Sequence, residues 1–228
     1  MEDPYPEVTR SAQPISQYRL LAIANLLAYY GGMPATPTPL ANGEKANRRE
    51  QIMAAAAELF AHHGFHGVGI DDIGAAVGIS GPALYRHFRS KDAILGEMLN
   101  SISRYLLDGG TARASHPGEP DEVLTGLVRF HVEFALEHPA LITVQERNLA
   151  NLTDGDRKQV RAMQRQYVEV WVRAIRDAVP RIGERQARSA AHAVFGLINS
   201  TPYNRHLGDD ELAELLCRLA LGALRAAG

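Results

Sequence analysis

Four side chains in one short stretch of the sequence have the chemistry to bind a nucleic acid. Tyr85, Arg86 and His87 are consecutive, and Lys91 follows close behind them. An arginine can donate two hydrogen bonds to O6 and N7 of a guanine, which reads the base. Tyrosine, histidine and lysine can donate to phosphate oxygens, which positions a protein on the duplex. This combination is typical of a short element that enters the major groove.

One short helix is expected to present these side chains. Leu84 and Phe88 are four residues apart, so they lie on the same side of a helix. If that side is buried, the residues around them, including Pro82, Ala83 and Tyr85, face outward. The alternative is an ordinary solvated helix face. An exposed proline, alanine and tyrosine make a poor solvated surface, whereas an alanine can meet a thymine methyl group in the groove. The pattern therefore favours a contact surface.

Short helices and a tight turn are predicted to hold this element. Apolar residues recur at three- and four-residue steps over about 46–62, which predicts the first helix. A second helix is expected over about 70–77, and Gly78 makes the sharp turn after it. Ser80 is placed to cap the third helix, and Ser90 to cap a fourth. A short helix, a glycine turn and a capped helix form a helix-turn-helix.

Helical patterns continue to the end of the chain, without β-type alternation of useful length. A Gly- and Pro-rich stretch predicts a loop over about 108–120. Beyond it, further helices are expected at about 121–137, 139–151, 155–178, 184–199 and 209–226. The predicted fold is therefore all-α, with an N-terminal three-helix head that contains the helix-turn-helix and a C-terminal helical bundle.

The charge composition makes nucleic-acid binding depend on where the charges lie. The chain of 228 residues has a formal net charge of −2, so no global field attracts DNA. Residues 42–92 carry six basic and six acidic side chains, namely Lys45, Arg48, Arg49, Arg86, Arg89 and Lys91 against Glu44, Glu50, Glu58, Asp71, Asp72 and Asp92. With few phosphate contacts per subunit, useful affinity is expected to need a dimer. Its two recognition helices, about 34–36 Å apart, would read a palindrome.

Nothing in the sequence supports an enzyme, a metal site or a membrane protein. The nine histidines show no ligand spacing with a carboxylate, and no nucleophile elbow, P-loop or dinucleotide motif occurs. No catalytic residue, metal or cofactor is therefore expected. The apolar segment Leu20–Tyr30 is shorter than the ~20 residues of a spanning helix. Met33 is a second possible start, so residues 1–32 need not belong to the native protein. Cys217 has no partner for an internal disulfide, and a cytoplasmic location is expected.

A set of residues at fixed spacing carries a family resemblance. They occur in order and without gaps: Arg48-Arg49-Glu50-Gln51-Ile52, Ala56-x-x-Leu59-Phe60, Gly64-Phe65, Asp72-Ile73, Gly78-Ile79-Ser80, Leu84-Tyr85-x-His87-Phe88 and Ser90-Lys91. Over about residues 47–95 the chain resembles the TetR family of bacterial transcriptional regulators. The rest of the chain matches in length and helical pattern alone.

The resemblance implies a dimer that binds double-stranded DNA and carries a ligand pocket in its C-terminal part. By the family pattern, the phosphate-contacting positions are Ser80, Tyr85, His87 and Lys91. The positions that can read bases are Pro82, Ala83 and Arg86. The domains are then expected at 1–45 (a disordered or weakly helical extension), 46–92 (the DNA-binding head) and 93–228 (the ligand-binding and dimerisation body).

Two places depart from the family pattern. Val68-Gly69 stands where the family often has a small hydroxyl residue that caps the second helix and touches phosphate. Glycine still caps acceptably, but the hydroxyl contact is lost. Asp71 sits where a basic or neutral residue would suit a phosphate better. We expect Asp71 and Asp72 to complement the helix dipole instead.

The body holds aromatic residues on apolar helix faces, with polar residues nearby. Each aromatic residue could simply be core, but together they have the composition of an apolar pocket with polar anchors. The candidate pocket residues are Phe130, Phe134, Leu141, Gln145, Asn148, Leu149, Tyr167, Trp171, Phe195 and Asn199. A small hydrophobic effector, such as a fatty acyl or acyl-CoA compound, would suit this lining.

The last two helices, 184–199 and 209–226, are rich in alanine and leucine and are expected to form the homodimer. Taken together, the residues and the resemblance predict a cytoplasmic, ligand-responsive DNA-binding regulator without enzymatic activity. A repressor released by its effector is favoured. The alternatives are an activator of the same fold and a helical protein-interaction bundle that does not bind DNA.

Overall fold

The computed structural model describes residues 48–228 except Arg205, so the expected N-terminal extension lies outside the described residues. The described part is all-α, as predicted, and contains no strand. Its helices are α1 (Arg48–His63), α2 (Ile70–Ala76), α3 (Gly81–Leu84), α4 (Lys91–Ala114), α5 (Pro120–Glu137), α6 (Pro139–Asn148), α7 (Asp154–Ala178), α8 (Glu184–Ile198) and α9 (Asp209–Ala226). Two short 3₁₀ turns follow α6 and α8, at Leu149–Asn151 and Thr201–Tyr203.

Two glycines end the first two helices of the head. Gly64 has φ 73° and Gly78 has φ 70°, in the left-handed region that side chains with a β-carbon rarely adopt. The backbone N–H of Gly64 donates to the carbonyl of Phe60 at 3.0 Å. Gly74 is needed for a different reason, because a β-carbon there would lie 2.7 Å from the Ile79 carbonyl oxygen. These positions let α2 and α3 pack closely across the turn, so the helix-turn-helix prediction is confirmed.

The third helix ends before Phe88, although the spacing of Leu84 and Phe88 predicts one helix through both residues. The α-helix α3 ends at Leu84, and hydrogen-bonded turns continue the coil. The N–H groups of Arg86 and His87 donate to carbonyls three residues back, at 3.2 and 2.8 Å. The Phe88 N–H donates to the Leu84 carbonyl at 3.1 Å. The DNA-facing turn, which we define as Pro82–Phe88, is thus half α-helix and half tighter turn.

The loop predicted from residue 108 is wrong, because α4 continues to Ala114. The glycines that suggested a break instead allow rings to approach the helix. A β-carbon on Gly109 would collide with the Phe130 ring, and one on Gly110 would collide with the Tyr167 ring. Close packing against α5 and α7 outweighs the intrinsic cost of glycine in a helix, about 1 kcal/mol per residue.

The long helices α4 and α7 form the centre of the body. The chain then packs α7 on α8, α8 on α9, and α9 back on α5, so that one apolar core runs through the bundle. The head meets the body where α1 packs on α6. Across the described residues, no helix combines the length and the apolar character needed to cross a bilayer.

Candidate nucleic-acid interface

The DNA-facing turn is oriented largely as its sequence predicts, although Ala83 and His87 are half-buried. Leu84 and Phe88 are buried, at 0% and 2% exposure, and belong to the hydrophobic core, which anchors the turn. Pro82 and Arg86 are exposed, and Tyr85 leaves 56% of its surface open to solvent. Such a large exposed aromatic side chain is uncommon among the described residues. The turn therefore offers a ring and a guanidinium group to an outside partner.

The two serines act as helix caps. The Ser80 hydroxyl accepts a hydrogen bond from the Ala83 N–H at 3.4 Å, and Ser80 itself is exposed. The Ser90 hydroxyl accepts from the Ala93 N–H at 3.1 Å at the start of α4. Both caps are confirmed. The phosphate contact of Ser80 stays a prediction, as do the contacts of Pro82 and Ala83 with bases.

The Lys91 ammonium is bound within the protein and does not stand free for a phosphate. Its Nζ donates to the carbonyl oxygens of Phe65 and Val68, each at 2.7 Å. The ammonium also lies 4.4 Å from the centre of the Phe65 ring. Lys91 thereby fastens the loop between α1 and α2 to the start of α4. Two of its three N–H donors are used inside the protein.

Arg49 is a residue whose role sequence reasoning missed. Its Nε donates to Oε1 of Glu97 at 2.8 Å, and its Nη2 donates to the other carboxylate oxygen. Its Nη1 donates to the backbone carbonyl of His87. The guanidinium carbon lies 4.0 Å from the centre of the Phe88 ring. Arg49 therefore joins α1, the end of the DNA-facing turn and α4.

Arg48 and Asp72 also satisfy backbone groups at helix ends. The Arg48 guanidinium donates to the carbonyl oxygen of Val77, the last residue before the turn glycine, at 3.0 Å. The Asp72 carboxylate accepts from the N–H of Gly69 at 2.7 Å. This bond gives Asp72 a structural role at the start of α2, as expected from the sequence.

The aromatic residues predicted to line a pocket pack against one another. The aromatic cluster consists of Phe130, Phe134, Tyr167, Trp171 and Phe195, together with Tyr105 and His131. Centroid distances between contacting rings run from 4.9 Å for Trp171 and Phe195 to 6.3 Å for His131 and Phe134. As the structure stands, these rings form core between α4, α5, α7 and α8.

A buried histidine lies at the centre of this aromatic cluster. The Nε2 of His131 lies 3.2 Å from Oδ1 of Asn199, and its Nδ1 lies 3.1 Å from the Tyr167 hydroxyl. Because the Asn199 oxygen can only accept, Nε2 carries the proton and Nδ1 accepts from Tyr167. Burial lowers the pKa of His131 to about 4, which the bond to Asn199 partly offsets. Burial likewise raises the pKa of Tyr167 well above its ordinary value. The network is therefore uncharged.

The other four candidates lie on α6 and the turn after it. Leu141 is fully buried, and Leu149 and Gln145 are partly buried. The Asn148 side chain donates to the Val144 carbonyl at 3.0 Å and accepts from Asn151 at 3.0 Å. Its polar groups are thus engaged within α6 and the following turn. The structure does not bring these four residues together with the aromatic cluster around an open space.

An open cavity of about 380 Å³ lies elsewhere, where the head meets the body. It is lined by residues of α1, α6, the second 3₁₀ turn and α9, among them Ala61, His62, Thr143, Arg147 and Tyr203. The Arg147 guanidinium donates to the Tyr203 hydroxyl at 3.2 Å across it. None of the ten predicted pocket residues lines this cavity. Its position between two distant parts of the chain left no signal in sequence spacing.

The outer faces of α8 and α9 carry small and apolar residues. Leu219 is 49% exposed, and Ala193 is exposed as well. Gly196 and Gly222 have no atom within 4 Å of where a β-carbon would stand. These faces leave room for a second pair of helices to approach.

No group of three or more His, Cys, Asp or Glu that could hold a metal ion occurs in the part of the chain that the structure describes.

Comparisons with known proteins agree with this architecture. The profile of "Bacterial regulatory proteins, tetR family" matches residues 52–98, and that of "Tetracyclin repressor-like, C-terminal domain" matches residues 117–224. The transcriptional repressor KstR2 of Mycolicibacterium smegmatis is 28% identical over 148 residues, which are 64% of this chain and 69% of that protein.

Two solved structures have a similar fold. A TetR-family regulator from Bordetella parapertussis superposes with a TM-score of 0.70 at 27% identity, over 78% of this chain and 95% of that one. AibR, solved with isovaleryl coenzyme A and operator DNA, superposes with a TM-score of 0.60 at 21% identity, over 76% and 97% of the two chains. At that identity the second likeness concerns the fold alone.

Proposed function

The chain belongs to the tetR family of bacterial regulatory proteins and is a DNA-binding transcriptional regulator. We propose that it is a repressor. It binds a palindromic operator as a homodimer and is released by a small hydrophobic effector. The observation that carries the proposal is the DNA-facing turn, in which Tyr85 and Arg86 are exposed while Leu84 and Phe88 hold the turn in place. On this proposal the protein acts in the cytoplasm, where its DNA is.

The contacts divide into those that position the protein and those that read sequence. Ser80, Tyr85, His87 and Lys91 are proposed to bind phosphate, and Lys91 has one N–H donor beyond the two that hold the α1–α2 loop. Arg86 is the candidate reader, since a guanidinium can bind O6 and N7 of one guanine. Pro82 and Ala83 would contact the same groove.

Selection of duplexes from a random-sequence library tests the DNA-binding claim without knowledge of the operator. The wild-type protein is expected to enrich a palindrome with half-sites about one helical turn apart. Arg86→Ala should relax the enriched sequence at one position of each half-site, at a cost of about 1–3 kcal/mol in binding. Tyr85→Ala should weaken binding to every sequence alike.

Arg176→Ala is a matched control, because it removes an exposed arginine from α7 in the body. It should leave both affinity and preference unchanged. Retention of the full preference by Arg86→Ala would contradict the base-reading role. Enrichment of no sequence by the wild type would contradict the function and favour a protein-interaction bundle.

Dimerisation is proposed to use the outer faces of α8 and α9. The exposed Leu219 and the open positions at Gly196 and Gly222 support this choice. Sedimentation of the wild type should give a dimer, and Gly222→Arg should shift it to a monomer with weaker operator binding. A dimer that persists in Gly222→Arg would place the interface elsewhere.

The effector is proposed to be a fatty acyl or acyl-CoA compound. AibR, a protein of this fold solved with isovaleryl coenzyme A, supports this class, and on this proposal the apolar aromatic cluster of the body opens to admit the acyl chain. Acyl-CoA esters and free fatty acids of increasing chain length should be titrated into the complex with the selected duplex. Release by a limited range of chain lengths is expected, and release by none would contradict this class. Repression rather than activation follows if transcription from the selected site rises on release.

A further inference from the structure

The ion pair between Arg49 and Glu97 supports the end of the DNA-facing turn. The carbonyl of His87, in the middle of the proposed DNA contacts, accepts a hydrogen bond from Arg49. The Phe88 ring next to it lies under the same guanidinium, 4.0 Å away. Arg49 therefore supports both the backbone and the anchoring side chain of the turn.

Glu97 fixes that guanidinium in place. Its two carboxylate oxygens accept from Nε and Nη2 of Arg49, which is the paired, planar geometry that arginine forms with a carboxylate. All three nitrogens of Arg49 thus donate within the protein. Glu97 belongs to α4, whose long packing surface on α7 makes it a firm anchor. The pair is partly buried, with 43% of the Arg49 side chain and 27% of the Glu97 side chain exposed.

We propose that Arg49 and Glu97 are positioning residues that set the DNA-facing turn at the angle needed for base contact, so that an acidic side chain strengthens operator binding. The proposal rests on the DNA-binding function proposed above. Arg49 acts here through the turn and not as a phosphate ligand. Glu97 acts one step further back, by orienting Arg49.

The effect expected of Glu97 on DNA binding is opposite to the one that simple electrostatics gives. DNA is a polyanion, so removing a carboxylate from the binding head should strengthen association with any duplex. If Glu97 orients the turn, its neutralisation should instead weaken binding, and chiefly to the duplex whose bases are read. A duplex of unrelated sequence, bound through phosphates alone, should be much less affected.

The experiment compares Glu97→Gln with Asp92→Asn. Both substitutions remove one negative charge from the first two turns of α4, but Asp92 is exposed and lies away from the guanidinium contacts of Arg49. The probes are the duplex selected by the wild-type protein and a duplex of random sequence, each measured over a range of salt concentrations. Thermal unfolding of each variant checks that it is folded.

Glu97→Gln is expected to lower affinity for the selected duplex about tenfold, because glutamine loses the charge and the second acceptor oxygen that fix the Arg49 guanidinium. Asp92→Asn should bind both duplexes as well as the wild type or better. Arg49→Lys keeps the positive charge but loses the paired hydrogen bonds of the guanidinium, and its affinity for the selected duplex should match that of Glu97→Gln. The double variant with both substitutions should bind no more weakly than either single variant. The salt dependence should stay that of the wild type in all of them.

Two results would overturn the inference. If Glu97→Gln tightened binding to both duplexes, as is expected of Asp92→Asn, the effect of Glu97 would be electrostatic repulsion of DNA alone. Arg49→Ala that lowers the salt slope by about 0.9 would make Arg49 a phosphate ligand. Both results leave the DNA-binding function standing. Failure of the wild type to select any duplex would overturn that function, and the inference with it.

Discussion

The head and the body of this protein are held together by different chemistry. In the head, charged side chains donate to backbone carbonyls: Lys91 to Phe65 and Val68, and Arg49 to His87. In the body, aromatic rings pack around a neutral hydrogen-bond network that centres on His131. Short helices leave many carbonyls without partners in the backbone, whereas long helices satisfy most of their own.

Because of this difference, the basic residues of the head cannot all be counted as phosphate contacts. Arg48 and Arg49 bond to carbonyls within the head, and Lys91 uses two of its three N–H donors there. A count of basic residues therefore overstates the number of phosphate contacts. We expect a shallow salt dependence for each subunit, with Arg86 and Arg89 as the exposed arginines of the turn and its end.

Removing the largest ring of the aromatic cluster should cost the body most. Trp171 is fully buried, so Trp171→Ala loses its apolar burial and leaves a cavity. We expect a loss of about 3–5 kcal/mol in the free energy of unfolding, measured in urea. The exposed Arg173→Ala on the same helix is the control and should change it by less than about 0.5 kcal/mol. A small loss in Trp171→Ala would mean that the rings do not hold the body together.

Acid should weaken the body through His131. Its pKa is about 4 in the folded chain and about 6.5 when unfolded, so between these values the unfolded state binds more protons. Stability from this residue is complete above pH 6.5 and falls as the pH drops towards 4, by about 3 kcal/mol in all. Urea unfolding at pH 7 and at pH 4.5 measures the change. His131→Asn should show a smaller fall, and an equal fall would assign the effect to other groups.

Loss of the lysine contact should loosen the head alone. Lys91→Met keeps the apolar stem but removes the ammonium that binds two carbonyls. Hydrogen bonds of this charged kind contribute about 1.5–3 kcal/mol. Amide hydrogen exchange should therefore speed up over residues 64–69 and stay unchanged in α7. Unchanged exchange in the loop, with a lower salt slope for DNA binding, would assign Lys91 to phosphate alone.

The smallest effect is expected from a glycine at a helix end. Gly64 has φ 73° with open space around it, so Gly64→Ala should cost about 1 kcal/mol through backbone strain alone. Gly126 lies within α5, also in open space, and Gly126→Ala should instead stabilise the protein by about 0.5–1 kcal/mol. Thermal unfolding of the two variants should move in opposite directions. A shift in the same direction would contradict this reading of the Gly64 turn.

The fold was predictable from sequence wherever the signal was local. The apolar spacing in α1, the turn at Gly78 and the cap at Ser80 depend on neighbours within four residues, and all three are as expected. The contacts of a side chain were harder to predict where its partner lies far along the chain. The pair of Arg49 and Glu97 spans 48 residues, and no spacing rule relates them.

The candidate site was predictable in part for the same reason. The exposure of Tyr85 follows from the burial of Leu84 and Phe88 on the other side of one turn. The packing of Phe195 on Trp171 depends on how α7 and α8 meet, and sequence could not distinguish core rings from pocket rings. The cavity beside Arg147 joins head to body, so it exists only in the folded arrangement.

The two glycines of α4 also fix how that helix is turned about its own axis. Phe130 and Tyr167 lie against bare backbone at Gly109 and Gly110, and a rotation of about 100°, one residue step, would bring the Thr111 side chain towards a ring. α4 therefore has one rotational setting in the body. About three turns earlier, the same setting points Glu97 at Arg49. The absence of a β-carbon at two body positions thus determines which side of α4 faces the DNA-facing turn.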